Sequence, residues 1–398
     1  MDISSARVLG DVYRANAALY PTKTALISHS GEERSFGAFN QRVNRLNHAL
    51  GARGAEKGDR VAVLSRNSIE YMEIYGLGKM GLVIVALNWR LVAADIAKLI
   101  RHCAPRVLVA DPSHAELIDG LREELDGVSL FILIGGQRAG WQSYESLIAA
   151  APDDEPSVQV SPDDVMALIY TSGTTGAPKG VAVTHRTVLD NAFTVAHPLL
   201  SLSSEDIVMA VMPLFHSGGM WYHAFPSQAA GCTLVVLPEF DPAVVLSSLE
   251  RRRVTYVHLV PTMIAALIDH PLAQSTDLSA LRLIFYAASS MPVDLLMRAM
   301  ARLQGCEFVQ SYGATESGVL TVLTPADHAR ARQNERHLLR SCGRALDHRE
   351  IRILAADDEI QPPEKLGEIA IRSPGAMQGY WRDEPATRRI SAGDGWLR

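Results

Sequence analysis

Four serine and threonine hydroxyls, three glycines and a lysine fall within the stretch Tyr170–Val181, which reads Y-T-S-G-T-T-G-A-P-K-G-V. Gly173, Gly176 and Gly180 let backbone amides come close to a ligand, Thr171, Ser172, Thr174 and Thr175 add hydroxyl donors, and Lys179 adds positive charge. Together these suit a polyphosphate. The pattern is not the P-loop of nucleotide hydrolases, which needs Gly-Lys-Ser or Gly-Lys-Thr with a helix directly behind the lysine. Apolar Met166–Ile169 precedes the loop and strand-like Val181–Thr184 follows it, so the loop is expected at the tip between two strands. Amides rather than a helix dipole would then hold the phosphates. The bland alternative is a Gly/Thr-rich hairpin over solvent.

A second group is Gln310–Ser317, Q-S-Y-G-A-T-E-S. Tyr312 offers a face for a purine, and Gly313 permits a tight turn beneath it. Thr315 can donate to an α-phosphate, while Glu316 supplies the hard oxygen that magnesium on a triphosphate prefers. Alone, a Thr-Glu pair would read as a helix start. A third stretch, M-P-L-F-H-S-G-G-M over Met212–Met220, sets His216 among apolar residues, where a histidine is more often a satisfied core side chain.

The loop resembles the phosphate-binding signature of the adenylate-forming superfamily, which contains acyl-CoA and aryl-CoA synthetases, peptide-synthetase adenylation domains and beetle luciferases. Tyr312-Gly313-Ala314-Thr315-Glu316 resembles its Y-G-x-T-E motif, and the likeness runs along nearly the full chain, weakly at Lys57–Val61 and at the small-residue turn Ile284–Pro292. The resemblance implies that Thr171, Ser172, Gly173, Thr174, Thr175, Gly176 and Lys179 hold phosphate. It implies that Ala288, Ser289, Ser311, Tyr312, Gly313, Ala314 and Thr315 line the nucleotide and that Glu316 binds Mg2+. His216 falls where the family has an aromatic gate beside the acyl carboxylate, a place suited to a protonated or hydrogen-bonding imidazole. The acid pocket is then expected from His216, Gly218, Met220, Trp221, Tyr286 and Ala287, and catalysis from His216, Thr315, Glu316 and Lys179.

The reaction so implied is attack of a carboxylate on the α-phosphate of ATP, giving an acyl-adenylate and pyrophosphate, then thioester formation with CoA. An acyl-AMP ligase serving a carrier protein would share these motifs. A nucleotide- and acyl-binding protein that has lost catalysis is the alternative from another class. The gate stretch lacks the aspartate common in amino-acid adenylation domains, and no arginine occurs from Met212 to Tyr222 to pair a second carboxylate. The expected acid is therefore an apolar aryl, alicyclic or medium-to-long acyl acid, not acetate, malonate or an amino acid. In the family, a run like Gly393–Arg398 continues into a Thr-Gly-Asp that holds ribose, an arginine, a hinge and a small C-terminal domain with a catalytic lysine. None of these occurs within the 398 residues, and Asp394, which precedes Trp396, is not the missing ribose ligand. The chain is read as the N-terminal adenylation domain alone. It is expected to bind ATP and acid, to form adenylate slowly, and to make essentially no acyl-CoA.

The elements that must position these residues follow from periodicity. Phe39, Val43, Leu46 and Leu50 share one face of a helix that Gly51 stops. Strands at Arg60–Leu64, Leu82–Leu87, Arg106–Ala110 and Leu130–Ile134 alternate with helical stretches around Ile69–Met80, Ala93–His102 and His114–Leu125. A second set lies at Thr233–Leu237, Val254–Val260, Leu281–Tyr286 and Glu307–Gln310. Such alternation predicts an α/β fold of two helix-flanked, mostly parallel sheets packed together. Short strands at Glu350–Leu354 and Gly367–Arg372 add a small distorted β-barrel, and the glycines of Gly375–Trp381 are read as structural. The expected subdomains span about 1–164, 165–325 with the ATP site, and 326–398; acidic, proline-containing Ala151–Asp164 marks the first boundary.

Composition removes several classes. The net charge is −6 with basic residues scattered, so nucleic acid has no electrostatic footprint here. Cys103, Cys232, Cys306 and Cys342 are widely spaced without C-x-x-C, which suits free thiols in a reducing cytoplasm rather than a zinc site. No apolar run approaches the ~20 residues of a membrane span. A homodimer is left open.

Overall fold

The computed structural model describes residues 3–171, 179–356 and 359–398. In chain order its sheet-forming strands are β1 (Thr24–Ser28), β2 (Glu33–Ser35), β3 (Arg60–Leu64), β4 (Val83–Ala86), β5 (Val107–Ala110), β6 (Leu130–Leu133), β7 (Gln142–Ser143), β8 (Val165–Thr171), β9 (Lys179–Thr184), β10 (Ile207–Ala210), β11 (Thr233–Val236), β12 (Tyr256–Leu259), β13 (Leu283–Tyr286) and β14 (Glu307–Gln310). Shorter strands follow: β15 (Gly313–Ala314), β16 (Gly318–Val319), β17 (Thr321–Val322), β18 (Arg344–Ala345), β19 (Glu350–Leu354), β20 (Glu368–Arg372) and β21 (Gly379–Tyr380).

Two large sheets result, of order β21-β9-β8-β4-β3-β5-β6-β7 and β14-β13-β12-β10-β11-β1-β2. Both are parallel except at one edge, where β8, β9 and β21 run antiparallel in the first and β1 and β2 in the second. Successive strand residues serve opposite faces. Val61 and Val63 enter the large central core, while Ala62 and Leu64 enter the core beneath the helices Ala93–Cys103 and Pro112–Asp119. The second sheet repeats this: Leu283 and Phe285 face the central core, and Ile284 and Tyr286 face the outer helices Pro242–Arg251, Pro261–Asp269 and Val293–Arg302. Strands buried on both faces are the reason for their continuous apolar sequences.

The sheets do not divide the chain near residue 164. Strand β1 pairs in parallel with β11 of the second sheet, while β8 pairs with β4 in the first and carries β9 on its other side. Residues 151–164 are irregular, as their composition suggests, but pinned: Glu155 accepts from the buried ammonium of Lys79 at 2.8 Å and from Asn40 at 2.8 Å. Periodicity identifies a strand; it carries no information about which parallel neighbour the strand will join. In place of the expected small barrel, the described residues show separate two-stranded antiparallel pieces, β15-β16, β17-β18 and β19-β20. The glycine-containing β21 instead pairs with β9, setting Tyr380 opposite Val181.

Central helices are fixed at their ends by side chains the sequence provides. Ser35 caps Phe36–Gly51, Ser68 caps Ile69–Tyr75 and Thr184 caps His185–Thr194, each accepting from a backbone amide one turn on. His185 Nδ1 accepts from the amide of Leu9 at 3.2 Å, so one imidazole serves the first turn of the distant helix Leu9–Leu19.

Candidate active site

The carboxyl ends of β8, β10, β13 and β14 lead into the motif segments, the position at which parallel sheets bind ligands. Strands β8 and β9 set Thr171 opposite Lys179, so the phosphate loop does join two antiparallel strands. Its Ser172, Gly173, Thr174, Thr175 and Gly176 lie outside the described residues. After β14 the chain forms the β15-β16 hairpin, with Thr315, Glu316 and Ser317 at its tip, rather than starting a helix. Buried Asn191 fixes that hairpin by accepting from the Val319 amide at 2.9 Å and donating to the Gly375 carbonyl at 2.9 Å.

A cavity of about 270 Å³ lies at the junction, lined by His216, Ser217, Gly218, Trp221, Tyr222, His258, Ala287, Ala288, Gly313, Ala314, Thr315 and Glu316. His216 opens toward it. Its Nδ1 accepts from the Gly218 amide at 3.1 Å, which requires a lone pair there and leaves the ring proton on Nε2. Surrounding protein, and secondarily Arg90, lowers its pKa from the ordinary imidazole value. A neutral ring presenting Nε2–H is the form this geometry supports, not imidazolium. Ser217 links gate to hairpin, its Oγ lying 3.1 Å from Thr315 Oγ1.

Glu316 Oε1 accepts from the Tyr380 hydroxyl at 3.1 Å and from Thr171 Oγ1 at 3.4 Å. Partial burial, then the Glu316 charge, raises the Tyr380 pKa, so the phenol stays a donor. The Lys179 ammonium sits 4.9 Å from the centre of the Tyr380 ring. Carboxylate, phenol, hydroxyl and ammonium are thus gathered from the hairpin, β21, β8 and β9. Among the described residues no group of three His, Cys, Asp or Glu side chains could hold a metal unaided. Magnesium fits beside Glu316 only where phosphate oxygens complete its coordination.

Other expected site residues separate. Gly218, Trp221, Ala287, Ala288, Gly313 and Ala314 line the cavity, and Tyr312 is half-buried at the end of β14. Ala288 has φ +72°, a left-handed conformation of the kind concentrated at binding sites. Ser289 lies on the exposed turn beyond it, and Ser311 is buried against Tyr222. Tyr286 does not wall the acid pocket: it faces the outer helices, its hydroxyl 2.9 Å from His328 Nε2. Ala287 takes the inner face, and adjacent strand residues cannot share one. Met220 does not line the cavity either: it is fully buried in the central core, while its neighbour Trp221 reaches the cavity. Sequence reasoning missed Ser217, Tyr222, His258 and Tyr380. Ser217 stands within the gate stretch and Tyr222 two residues beyond it, and His258 is a polar residue in an otherwise apolar strand, at even spacing from Tyr256. Tyr380 belongs to a segment read only for its glycines.

Gly219 shows how tightly the gate turn is built, since a Cβ there would overlap the Pro213 carbonyl. Gly219→Ala is expected to cost about 1–3 kcal/mol as overpacking, read as a lower unfolding midpoint in urea.

Residues 13–381 match the family described as AMP-binding enzyme. The chain is 34% identical over 386 residues to an indoleacetate–CoA ligase of Aromatoleum aromaticum, covering 96% of this chain and 73% of that protein. It is similar in structure to the N-terminal domain of FACL13 from Mycobacterium tuberculosis, with TM-score 0.88 and 28% identity over 98% of this chain and 95% of that one. It is also similar to the anthranilate CoA ligase AuaEII in complex with anthranoyl-AMP, with TM-score 0.91 and 26% identity over 100% and 76% of the two chains.

Proposed function

From the premise that this chain belongs to the family of AMP-binding enzymes, we propose that it activates a small aryl carboxylic acid with ATP to an acyl-adenylate whose acyl group is destined for CoA. The observation that carries this is one cavity lined by His216, Thr315 and Glu316, with Tyr380 on Glu316 and Lys179 on Tyr380. The acid's carboxylate lies at the gate, where His216 Nε2–H donates to one oxygen while the other attacks the α-phosphorus of ATP. A bond forms from carboxylate oxygen to phosphorus, and the bond to pyrophosphate breaks. Thr315 donates to an α-phosphate oxygen, and Lys179 neutralises phosphate charge. Glu316 would hold magnesium, which supplies positive charge between the phosphates. The thiolate of CoA then attacks the acyl carbon and AMP leaves; a carrier-protein thiol is the alternative acceptor.

Size favours an aryl acid over a long acyl chain. About 270 Å³ falls below the ~300–1,000 Å³ usual for ligand pockets, and Trp221, Tyr222 and His258 close its inner end. The named acids of two similar proteins, indoleacetate and anthranilate, are of this size. The free cysteines suit a reducing compartment, which supports a cytoplasmic reading; among the described residues no helix is long and apolar enough to cross a membrane. A thermal-shift panel with a non-hydrolysable ATP analogue and magnesium tests the substrate class. Phenylacetic and cinnamic acids are expected to stabilise the protein; stabilisation by palmitate, acetate or malonate alone would overturn the proposal.

A further inference from the structure

The inner end of the acid cavity carries polar atoms that no protein group satisfies. Strand β12 turns Val257 and Leu259 toward the outer helices and Tyr256 toward the central core, which puts His258 on the inner face. Register sets His258 beside Phe285, their rings 5.0 Å apart, with Tyr222 at 4.9 Å and His223 at 5.3 Å. Both histidines are 0% exposed, and His258 lines the cavity. Neither nitrogen of either imidazole has a hydrogen-bond partner, and Trp221 Nε1, on the same cavity, has none. The backbone of Gly218 approaches His258 and opposes its pKa shift, but neither ring nitrogen reaches it with hydrogen-bond geometry.

As plain core filler these residues are a poor choice, since leucine or phenylalanine would occupy the volume without the cost of unmade hydrogen bonds. The path from the gate also points to a ligand. A Cβ on Gly218 would touch His216 Nδ1, His258 Cε1 and Met212 Cε, each at 3.5 Å, so the glycine stands between the two imidazoles on the cavity wall. Burial lowers the pKa of His223 to about 3 and that of His258 well below the ordinary value. Each ring is therefore neutral, with one N–H and one lone pair, and suits a neutral partner better than a second carboxylate or an ammonium.

We propose that His258, backed by His223, determines acid specificity, and that the acid it selects carries a neutral hydrogen-bonding group, a hydroxyl or ring N–H, opposite its carboxylate. This rests on the acid-activation reading above. Calorimetry of the whole chain with a non-hydrolysable ATP analogue and magnesium tests it with matched acids: 4-hydroxycinnamic against 4-methylcinnamic, and indole-3-acetic against 1-naphthylacetic. The hydroxyl or N–H member of at least one pair is expected to bind about tenfold tighter. His258→Leu should bring that pair to near equality while raising Tm, because it removes an unmatched polar group. Equal affinities in the native protein, with solvent serving the histidines, would overturn the inference, as would a preference that survives in His258→Leu. Should that variant not fold, the native pairs decide alone. Binding by none of the acids would overturn the acid-activation reading itself, and this inference with it.

Discussion

Glu316→Gln is expected to lower acid-dependent ATP–pyrophosphate exchange by about 10²- to 10³-fold, the usual range for losing one preorganised charge contact, with little change in Tm. Glutamine keeps the length of the side chain and an oxygen to accept from Thr171 and Tyr380, so the bracket between hairpin, β8 and β21 survives. What it loses is the negative charge that would hold magnesium. Calorimetry with the ATP analogue should accordingly show magnesium-dependent binding in the native protein and loss of that dependence in the variant. Glu316→Ala removes charge and bracket together and should be at least as impaired, with a lower Tm as well. If Glu316→Gln exchanged pyrophosphate at the native rate, the carboxylate would be a structural acceptor for two hydroxyls and nothing more.

Much of this arrangement was legible in the residues, for a physical reason that also marks where legibility ended. Apolar runs bounded by charged residues located β3 and β14 at their observed bounds, because buried strands need such runs, and the alternation of Glu350–Leu354 located the half-exposed β19. Pairing between distant parallel strands leaves no local trace, so the transfer of β1 to one sheet and of β8 and β9 to the other could not be read. The misplacement of Tyr286 was a matter of face: strand alternation excludes Tyr286 and Ala287 from a common pocket once either is assigned. A missed helix, Pro325–Gln333, did have a signal. Thr324 and Asp327 form a capping box around a proline in the first turn. Tyr380 had none, because its role depends on a β21-β9 pairing across nearly 200 residues of chain.

Acid should destabilise this protein well before the carboxylates whose pKa values are lowered in the fold begin to titrate. Burial disfavours protonation of several imidazoles in the folded state and most strongly of three, lowering the pKa of His185 to about 4, of His223 to about 3, and of His258 well below the ordinary value of 6.5. Unfolded, each binds a proton near pH 6.5, so between that value and the folded pKa the unfolded chain holds more protons. Their contribution is complete above pH 6.5 and is lost as the pH falls through this window. At about 1.4 kcal/mol per unit, His185 and His223 each lose about 3 kcal/mol by pH 4, and together that is comparable with a typical domain's whole stability of about 5–15 kcal/mol. The paired carboxylates Asp11, Glu155 and Asp206 have lowered pKa values and lose their contribution only at more acidic pH. Urea unfolding midpoints measured from pH 7.5 to 4.5 should therefore fall steeply below pH 6.5, and His223→Leu and His258→Leu should each flatten that slope. His185→Gln, which keeps an acceptor for the Leu9 amide, should flatten it without exposing the first helix. A midpoint unchanged between pH 6.5 and 4.5 would mean that these imidazoles reach solvent or a counter-charge, and the unmatched floor of the acid pocket would have to be abandoned with them.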